Sequence, residues 1–232
     1  MIKGIDISVY QQKVDFEKVK KSGIEFVIIR GAIGTRKDTM FESHYSDAKN
    51  AGLKVGCYYY TLAKNVAEAK GEADVFLNCI KGKQFEYPIY FDIEDPSLQN
   101  LSKQVLTDIV LAWCGKVQSA GYYVGIYANP DWFTNRLDLE RLKGFDKWLA
   151  HWTNSPKWKN EFGGLWQYGL TRVDGYSGEI DGDYSYRDYE KTIKTLGLNG
   201  FKNATVQPEN KKTVTATVTV DGEIYKGVLS KE

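Results

Sequence analysis

Short apolar runs alternate with helical patterns along roughly the first 142 residues, and this alternation limits the fold more than any other feature of the chain. Residues 2–8, 26–33, 54–62, 88–95 and 122–128 are rich in Ile, Val, Phe and Tyr, and each run is short enough to be a buried strand. The intervening segments carry helix start and stop signals. Asp15 caps a helix that ends before Gly23, and a second helix over residues 39–50 closes at Gly52. Asn65 and Glu68 form a capping box ahead of an apolar face made by Ala69, Ala73, Phe76 and Ile80. Ser102 caps a helix whose stripe is Val105, Ile109, Trp113 and Val117, ended by Gly121; Asn129 and Pro130 start a fifth helix that runs to about residue 142. Five strand–helix units in succession predict a parallel β/α architecture.

After that the rhythm changes. Residues 147–152, 165–168 and 179–184 read as three more strands, separated by short gaps rich in Gly, Asn and Ser. A helical crossover needs about a dozen residues or more, so these strands are expected to lack packed helices. A last helix covers residues 186–196. The fold class is therefore α/β: an irregular TIM-like barrel of five β/α units followed by three bare strands. Residues 1–197 form this barrel, residues 198–212 read as a linker, and residues 213–232 form a tail. In the tail, Thr and Val alternate up to Val220, and Asp221 with Gly222 signals a β-hairpin turn before residues 223–229.

Composition removes several function classes. The net charge of +1 gives no footprint for nucleic acid or an anionic membrane. No apolar run approaches the roughly 20 residues that span a bilayer. Cys57, Cys79 and Cys114 are irregularly spaced inside apolar segments and read as free thiols. His44 and His151 have no partners at metal-ligand spacing, and there is no Gly-rich phosphate loop, so no metal or cofactor is expected. Aromatics make up 14% of the chain, which suits stacking on sugars as well as a large core. Met1, Ile2 and Lys3 lead directly into a strand, without the pattern of a secretory signal.

The acids stand at informative positions. In the fourth strand, Tyr90, Asp92 and Glu94 share one face and Phe91 and Ile93 the other. Two carboxylates on an apolar strand are costly to bury unless paired. They are surface acids at a strand end, a salt-bridged pair, or a catalytic pair. Function in β/α barrels gathers at the C-terminal ends of the strands. Asp6 ends the first strand, and Asp181 and Asp183 lie in the eighth, its neighbour if the barrel closes. Those carboxylates would then meet at one mouth. Tyr60, Tyr127 and Trp152 lie near strand ends, as sugar platforms or as barrel filling. Arg30 would face the interior and is read as structural, as is His151.

Taken together, several motifs resemble glycoside hydrolase family 25, the muramidases (lysozymes) of phage endolysins and bacterial autolysins. They are Gly4-Ile5-Asp6-Ile7-Ser8, Phe26-Val27-Ile28-Ile29-Arg30-Gly31, Val55-Gly56-Cys57-Tyr58-Tyr59-Tyr60, Tyr90-Phe91-Asp92-Ile93-Glu94, Gly125-Ile126-Tyr127, Leu165-Trp166-Gln167-Tyr168 and Ile180-Asp181-Gly182-Asp183. Their order and spacing carry the likeness, which covers residues 2–196. It implies a barrel of the kind just described and cleavage of the β-1,4 bond between N-acetylmuramic acid and N-acetylglucosamine in bacterial peptidoglycan. It also implies Glu94 as the general acid, with Asp92, Asp6 and Asp181 assisting. The family usually has an Asn where Asp183 stands; Asp181, which follows Ile180, is taken as the substrate-facing member.

Asp92 and Glu94, two residues apart on a strand, have Cα atoms about 6.5–7 Å apart. That separation leaves retaining, inverting and substrate-assisted chemistry open. Two other readings compete: a non-catalytic glycan-binding barrel, which would lack the acid, and a chitinase-type glycosidase, which would carry a longer acidic run where Pro88 and Tyr90 stand. A wall-degrading enzyme without a signal peptide is expected to be made in the cytoplasm and released by a phage lesion protein. The hairpin alone would be marginal in water and needs a partner. The barrel flank, wall polymer or a second copy would serve, and self-association satisfies both exposed edges at once.

Overall fold

The computed structural model describes residues 1–156 and 163–202, together with the strands Val214–Val220 and Glu223–Leu229. The elements run β1 (Ile2–Ile7), α1 (Phe16–Lys21), β2 (Phe26–Ile33), β3 (Arg36–Lys37), α2 (Phe41–Asn50), β4 (Lys54–Tyr60), α3 (Val66–Ile80), β5 (Ile89–Asp92), α4 (Lys103–Ser119), β6 (Val124–Ala128), β7 (Asp146–Ala150), β8 (Leu165–Thr171), β9 (Ile180–Ser185), α5 (Tyr189–Leu196), β10 (Val214–Val220) and β11 (Glu223–Leu229). Eight strands close a barrel in the order β1-β9-β8-β7-β6-β5-β4-β2, with β1 pairing back to β2. Neighbours are parallel from β1 through β2 and β4 round to β8. The strand β9 runs antiparallel to both β1 and β8. The segment between β8 and β9 is too short for a helical crossover, so the chain turns back on itself.

Local signals set the helices as expected. Asp15, Asn65 and Ser102 each accept a hydrogen bond from a backbone N–H of the first turn they cap. Ala69, Ala73, Phe76 and Ile80 are buried on α3, and Ile109, Trp113 and Val117 on α4. Three expectations change. The fifth helix does not reach residue 142: Asn129 Oδ1 accepts from Trp132 N–H at 3.1 Å, but the helical segment ends in a π-turn, Trp132–Arg136. Leu137 is extended, and Asp138 caps a separate turn by accepting from Glu140 N–H, so a side-chain-to-backbone bond replaces another helical turn. The fourth strand ends at Asp92 instead of Asp95, because Asp95 opens a 3-10 turn, Pro96–Leu98. Lastly, residues 198–201 belong to the barrel. The Asn199 side chain is fully buried, donates to the carbonyls of Phe85 and Tyr87 and accepts from Tyr123 N–H. The rest of the expected linker, from residue 203, lies outside the described residues, as do Asp221 and Gly222 of the hairpin turn. The strands β10 and β11 pair antiparallel, with Val220 opposite Glu223.

Apolar side chains form two layers. Between barrel and helices lies a large cluster that includes Phe76, Phe91 and Trp113. Inside the barrel, Phe26, Tyr90, Trp148 and Leu165 fill the lower half. Glycines make room for these rings. A Cβ on Gly4 would stand 2.2 Å from the Phe26 ring, and one on Gly125 would stand 2.4 Å from Tyr90. The aromatic plug closes the floor, which leaves only the opposite end open. Cys57, Cys79 and Cys114 are free thiols. Among the described residues, no helix is long and apolar enough to cross a membrane, and no group of His, Cys, Asp and Glu is set to hold a metal ion.

Candidate active site

A cleft of ≈ 430 Å³ opens at the C-terminal ends of the parallel strands. Asp6, Asp92, Glu94 and Asp181 all line it, as do Tyr60, Tyr127 and Trp152, so every site residue expected from the sequence comes to one place. The pairing register explains the convergence. Asp92 closes β5 with Tyr60 of β4 on one side and Tyr127 of β6 on the other. Asp181 stands opposite Asp6 across the β1–β9 pair. Glu94 lies two residues beyond the end of β5, yet alternation continues: Ile93 is fully buried in the outer layer while Glu94 is half-buried and faces the cleft.

Burial and mutual repulsion act together on these acids. Glu94 is held above the ordinary glutamate range by burial and then by the charge of Asp181. Asp92 is raised further, by burial, then Glu94, then Asp6, and its Oδ1 is buried without a protein donor. Burial followed by Asp181 raises Asp6, which accepts a bond of 2.8 Å from Gln167 Nε2. Burial alone raises Asp181. The site therefore favours protons on its carboxyl groups, and Glu94 combines a raised affinity for its proton with access to the cleft.

Asp183 is also inward but does not line the cleft. It sits one layer below Asp181, fully buried, and accepts 2.8 Å from Trp148 Nε1. Burial and then Asp6 raise its carboxyl strongly. Two residues apart on one strand, Asp181 and Asp183 share a face but differ in solvent access, and this separates their chemistry.

The aromatics divide in the same way. Trp152 is 59% exposed at the lip and donates 3.1 Å to Gln167 Oε1, which suits a sugar platform. Tyr127 is only 8% exposed, packs edge-on against Trp148 with ring centroids 4.5 Å apart, and gives its hydroxyl to Gln167 Oε1 at 3.1 Å. It fills the barrel and also lines the cleft. Tyr60 donates to Asp95 Oδ2 at 3.0 Å, which fixes its ring beside the corner that carries Glu94.

The comparisons with known proteins fit this geometry. The family model described as "Glycosyl hydrolases family 25" matches residues 5–175. The chain belongs to glycosyl hydrolases family 25. Among relatives, the "Autolytic lysozyme" of Clostridium acetobutylicum is 30% identical over 184 residues, spanning 78% of this chain and 55% of that protein. "Lysozyme M1" of Streptomyces globisporus is 29% identical, over 78% of this chain and 66% of that protein. The chain thus spans between about half and two thirds of these two relatives. Among solved structures, the CTP1L endolysin superposes with a TM-score of 0.74 at 27% identity, covering 84% of this chain and 70% of that one. The bacterial lysozyme of Streptomyces coelicolor gives 0.74 at 25% identity, covering 86% and 97%.

Within this family-25 barrel, sequence reasoning assigned no role to two residues that organise the site. Gln167 bridges Asp6, Tyr127 and Trp152 through its amide. Its signal was an amide at an inward position of an otherwise aromatic and apolar strand. Asp38 accepts from Arg30 Nε at 2.8 Å, from Val9 N–H at 3.0 Å and from Met40 N–H at 2.9 Å. The local bond to Met40 N–H marks Asp38 only as a turn residue; its contacts with Arg30 and Val9, 8 and 29 positions away, carry no local signal.

Proposed function

We propose that the chain is a peptidoglycan hydrolase, an N-acetylmuramidase that cleaves the β-1,4 bond between N-acetylmuramic acid and N-acetylglucosamine. The observation that carries this reading is Glu94: a half-buried carboxyl, raised by burial and by Asp181, at the open mouth of a family-25 barrel. A proton from Glu94 goes to the glycosidic oxygen as its bond to the sugar carbon breaks; water then adds its oxygen to that carbon and its proton restores the acid. Asp92 faces the carbon on which positive charge develops, stabilising it directly or orienting the substrate's acetamido group. The charge of Asp181 favours the protonated Glu94, and a negative local potential also favours the cationic transition state, while Asp6 is held in place by Gln167. Trp152, Tyr60 and Tyr127 offer ring faces and edges to the sugars.

Wall-acting names among the relatives and solved structures, lysozymes and endolysins, support the same reading. The bacterial cell wall is then the place of action, with release through a phage lesion as the route. Self-association through the β10–β11 hairpin belongs to the proposal, and light scattering of the full chain against a chain ending at Lys202 tests it. The experiment for the activity is release of reducing ends from purified peptidoglycan, with chitin as a neutral comparison and Glu94→Gln as the control. Cleavage of peptidoglycan that disappears in Glu94→Gln is expected; a glycan-binding barrel would release nothing, and a chitinase would prefer chitin.

A further inference from the structure

Among the described residues, the cleft is lined by four carboxyl groups and one cation, Arg30. An anionic substrate group entering this cleft meets repulsion nearly everywhere, which makes the exception informative. Arg30 sits on β2 opposite Tyr58 of β4. Its Nε donates to Asp38 Oδ2, and the Asp38 side chain is completely enclosed by Arg30 and two backbone N–H donors. Among the described residues, Nη1 and Nη2 of Arg30 take no acceptor. Tyr10, 77% exposed, lies with its ring 5.4 Å from the guanidinium. Gln11, also lining the cleft, spends its Oε1 on Ser8 N–H at 2.9 Å and leaves its NH2 donors unpaired among the described residues.

An Arg held along one edge by a buried carboxylate, with its terminal nitrogens turned to a cleft, is prepared to receive a second carboxylate. A purely structural ion pair needs neither the cleft nor the spare donors. The charge of Arg30 is also felt by Asp92, so the subsite adjoins the reacting centre.

We propose that Arg30, fixed by Asp38 and flanked by Tyr10 and Gln11, is a carboxylate-binding subsite that seats the acidic side arm of the substrate's N-acetylmuramic acid unit. The assignment of that sugar rests on the hydrolase reading above; the carboxylate chemistry rests on the site itself. The carboxylate comes from the lactyl group in peptide-free glycan or from the attached peptide in intact strands. It gives the cleft a reason to prefer an acidic amino-sugar polymer over a neutral one despite its own negative charge.

Binding by the Glu94→Gln protein tests the subsite without turnover. Titration calorimetry compares peptide-free glycan fragments with the same fragments methylamidated at their lactyl carboxyls. A second pair compares peptide-bearing fragments before and after methylamidation of the peptide carboxyls. The expected result is a preference of about tenfold or more for the free carboxylate in at least one pair, the size of a charge-assisted hydrogen-bonded contact. The pair that shows it identifies the source. Adding Arg30→Lys keeps a cation against Asp38 but removes the fork, and the preference should collapse towards one. Equal binding in both pairs overturns the proposal, and so does a preference that survives Arg30→Lys. If that variant does not fold, the ligand pairs with Arg30 intact still decide. Cleavage of the same fragments by the unaltered protein is scored separately. Cleavage without preference defeats the subsite alone, and preference without cleavage defeats the hydrolase reading alone.

Discussion

The two walls of this barrel reach the same mouth by different constructions. From β2 to β6 the outer faces are covered by helices, and Phe76, Phe91 and Trp113 pack in the layer between. From β8 to β9 no helix intervenes, and the outer face is closed by tilted, packed rings: Tyr168 lies 4.8 Å and Trp166 5.7 Å from Tyr184 between ring centroids. The helix-backed wall contributes Tyr60, Asp92 and Glu94. Across the mouth, β7 to β9 and the loop after β7 contribute Trp152, Gln167 and Asp181. Where the chain is too short for crossovers, aromatic packing replaces helix packing, and the last strand turns antiparallel. The first wall carries Glu94; the second carries the Asp181 charge that helps to raise its carboxyl and the Gln167 amide that holds Asp6.

This division can be broken from the largest effect downward. Glu94→Gln, on the helix-backed side, should fold and lose about 100- to 10,000-fold in turnover, since general acid catalysis is removed. Reducing-end assays check this, and a variant with most of its turnover would remove Glu94 from the acid role. Trp113→Ala should cost about 3–5 kcal/mol in chemical denaturation, as a large enclosed ring leaves a cavity. Trp166→Ala should cost less, because its ring, although buried, packs on the outer face of β8 against the Tyr168 and Tyr184 rings and not within the large core cluster; equal losses would mean that the bare wall is packed as tightly as the other.

Asp181→Asn probes coupling across the mouth. After burial, the Asp181 charge is the second cause holding the Glu94 carboxyl up. Neutralising it should let Glu94 lose its proton at lower pH, so the alkaline limb of kcat/KM should move down; an unmoved limb would show that the two walls do not communicate. The smallest effect is on stability. Asp183 has a folded-state carboxyl raised by burial and Asp6, so its favourable contribution is complete below the unfolded aspartate value of about 3.9 and is lost as pH rises through the folded value. Asp183→Asn cannot ionise, so its melting temperature should gain on the unaltered protein as pH rises and match it in acid. A gain in acid alone would reverse the assignment.

The helix-backed wall was legible because its signals are local. Asp15, Asn65 and Ser102 cap helices through bonds within three or four residues, and the stripes on α3 and α4 follow helical spacing. The fifth helix misled for the converse reason: Asn129 announces a start, but the early stop is set by the extended Leu137 and the Asp138 turn, whose N–H also bonds Thr107 Oγ1 of α4 at 3.0 Å. Nothing around Asn199 distinguishes it from a linker residue, because its partners, Phe85, Tyr87 and Tyr123, lie 76 or more positions away.

The sequence by itself determined the barrel class, the strands that carry acids, and the face of β5 that bears Asp92. Alternation and capping depend on neighbouring residues, and those are written in order along the chain. Tertiary structure decided the direction of β9. Asp181 stands near the start of its strand, and in a parallel barrel that end would lie at the floor with the aromatic plug. Because β9 runs antiparallel to β1 and β8, its first residues arrive at the mouth, with Asp181 opposite Asp6 and Leu170. Asp183, two residues on, is carried down into the sealed interior beside Trp148. Strand direction depends on which distant edges pair when the barrel closes, and that is a property of the whole sheet.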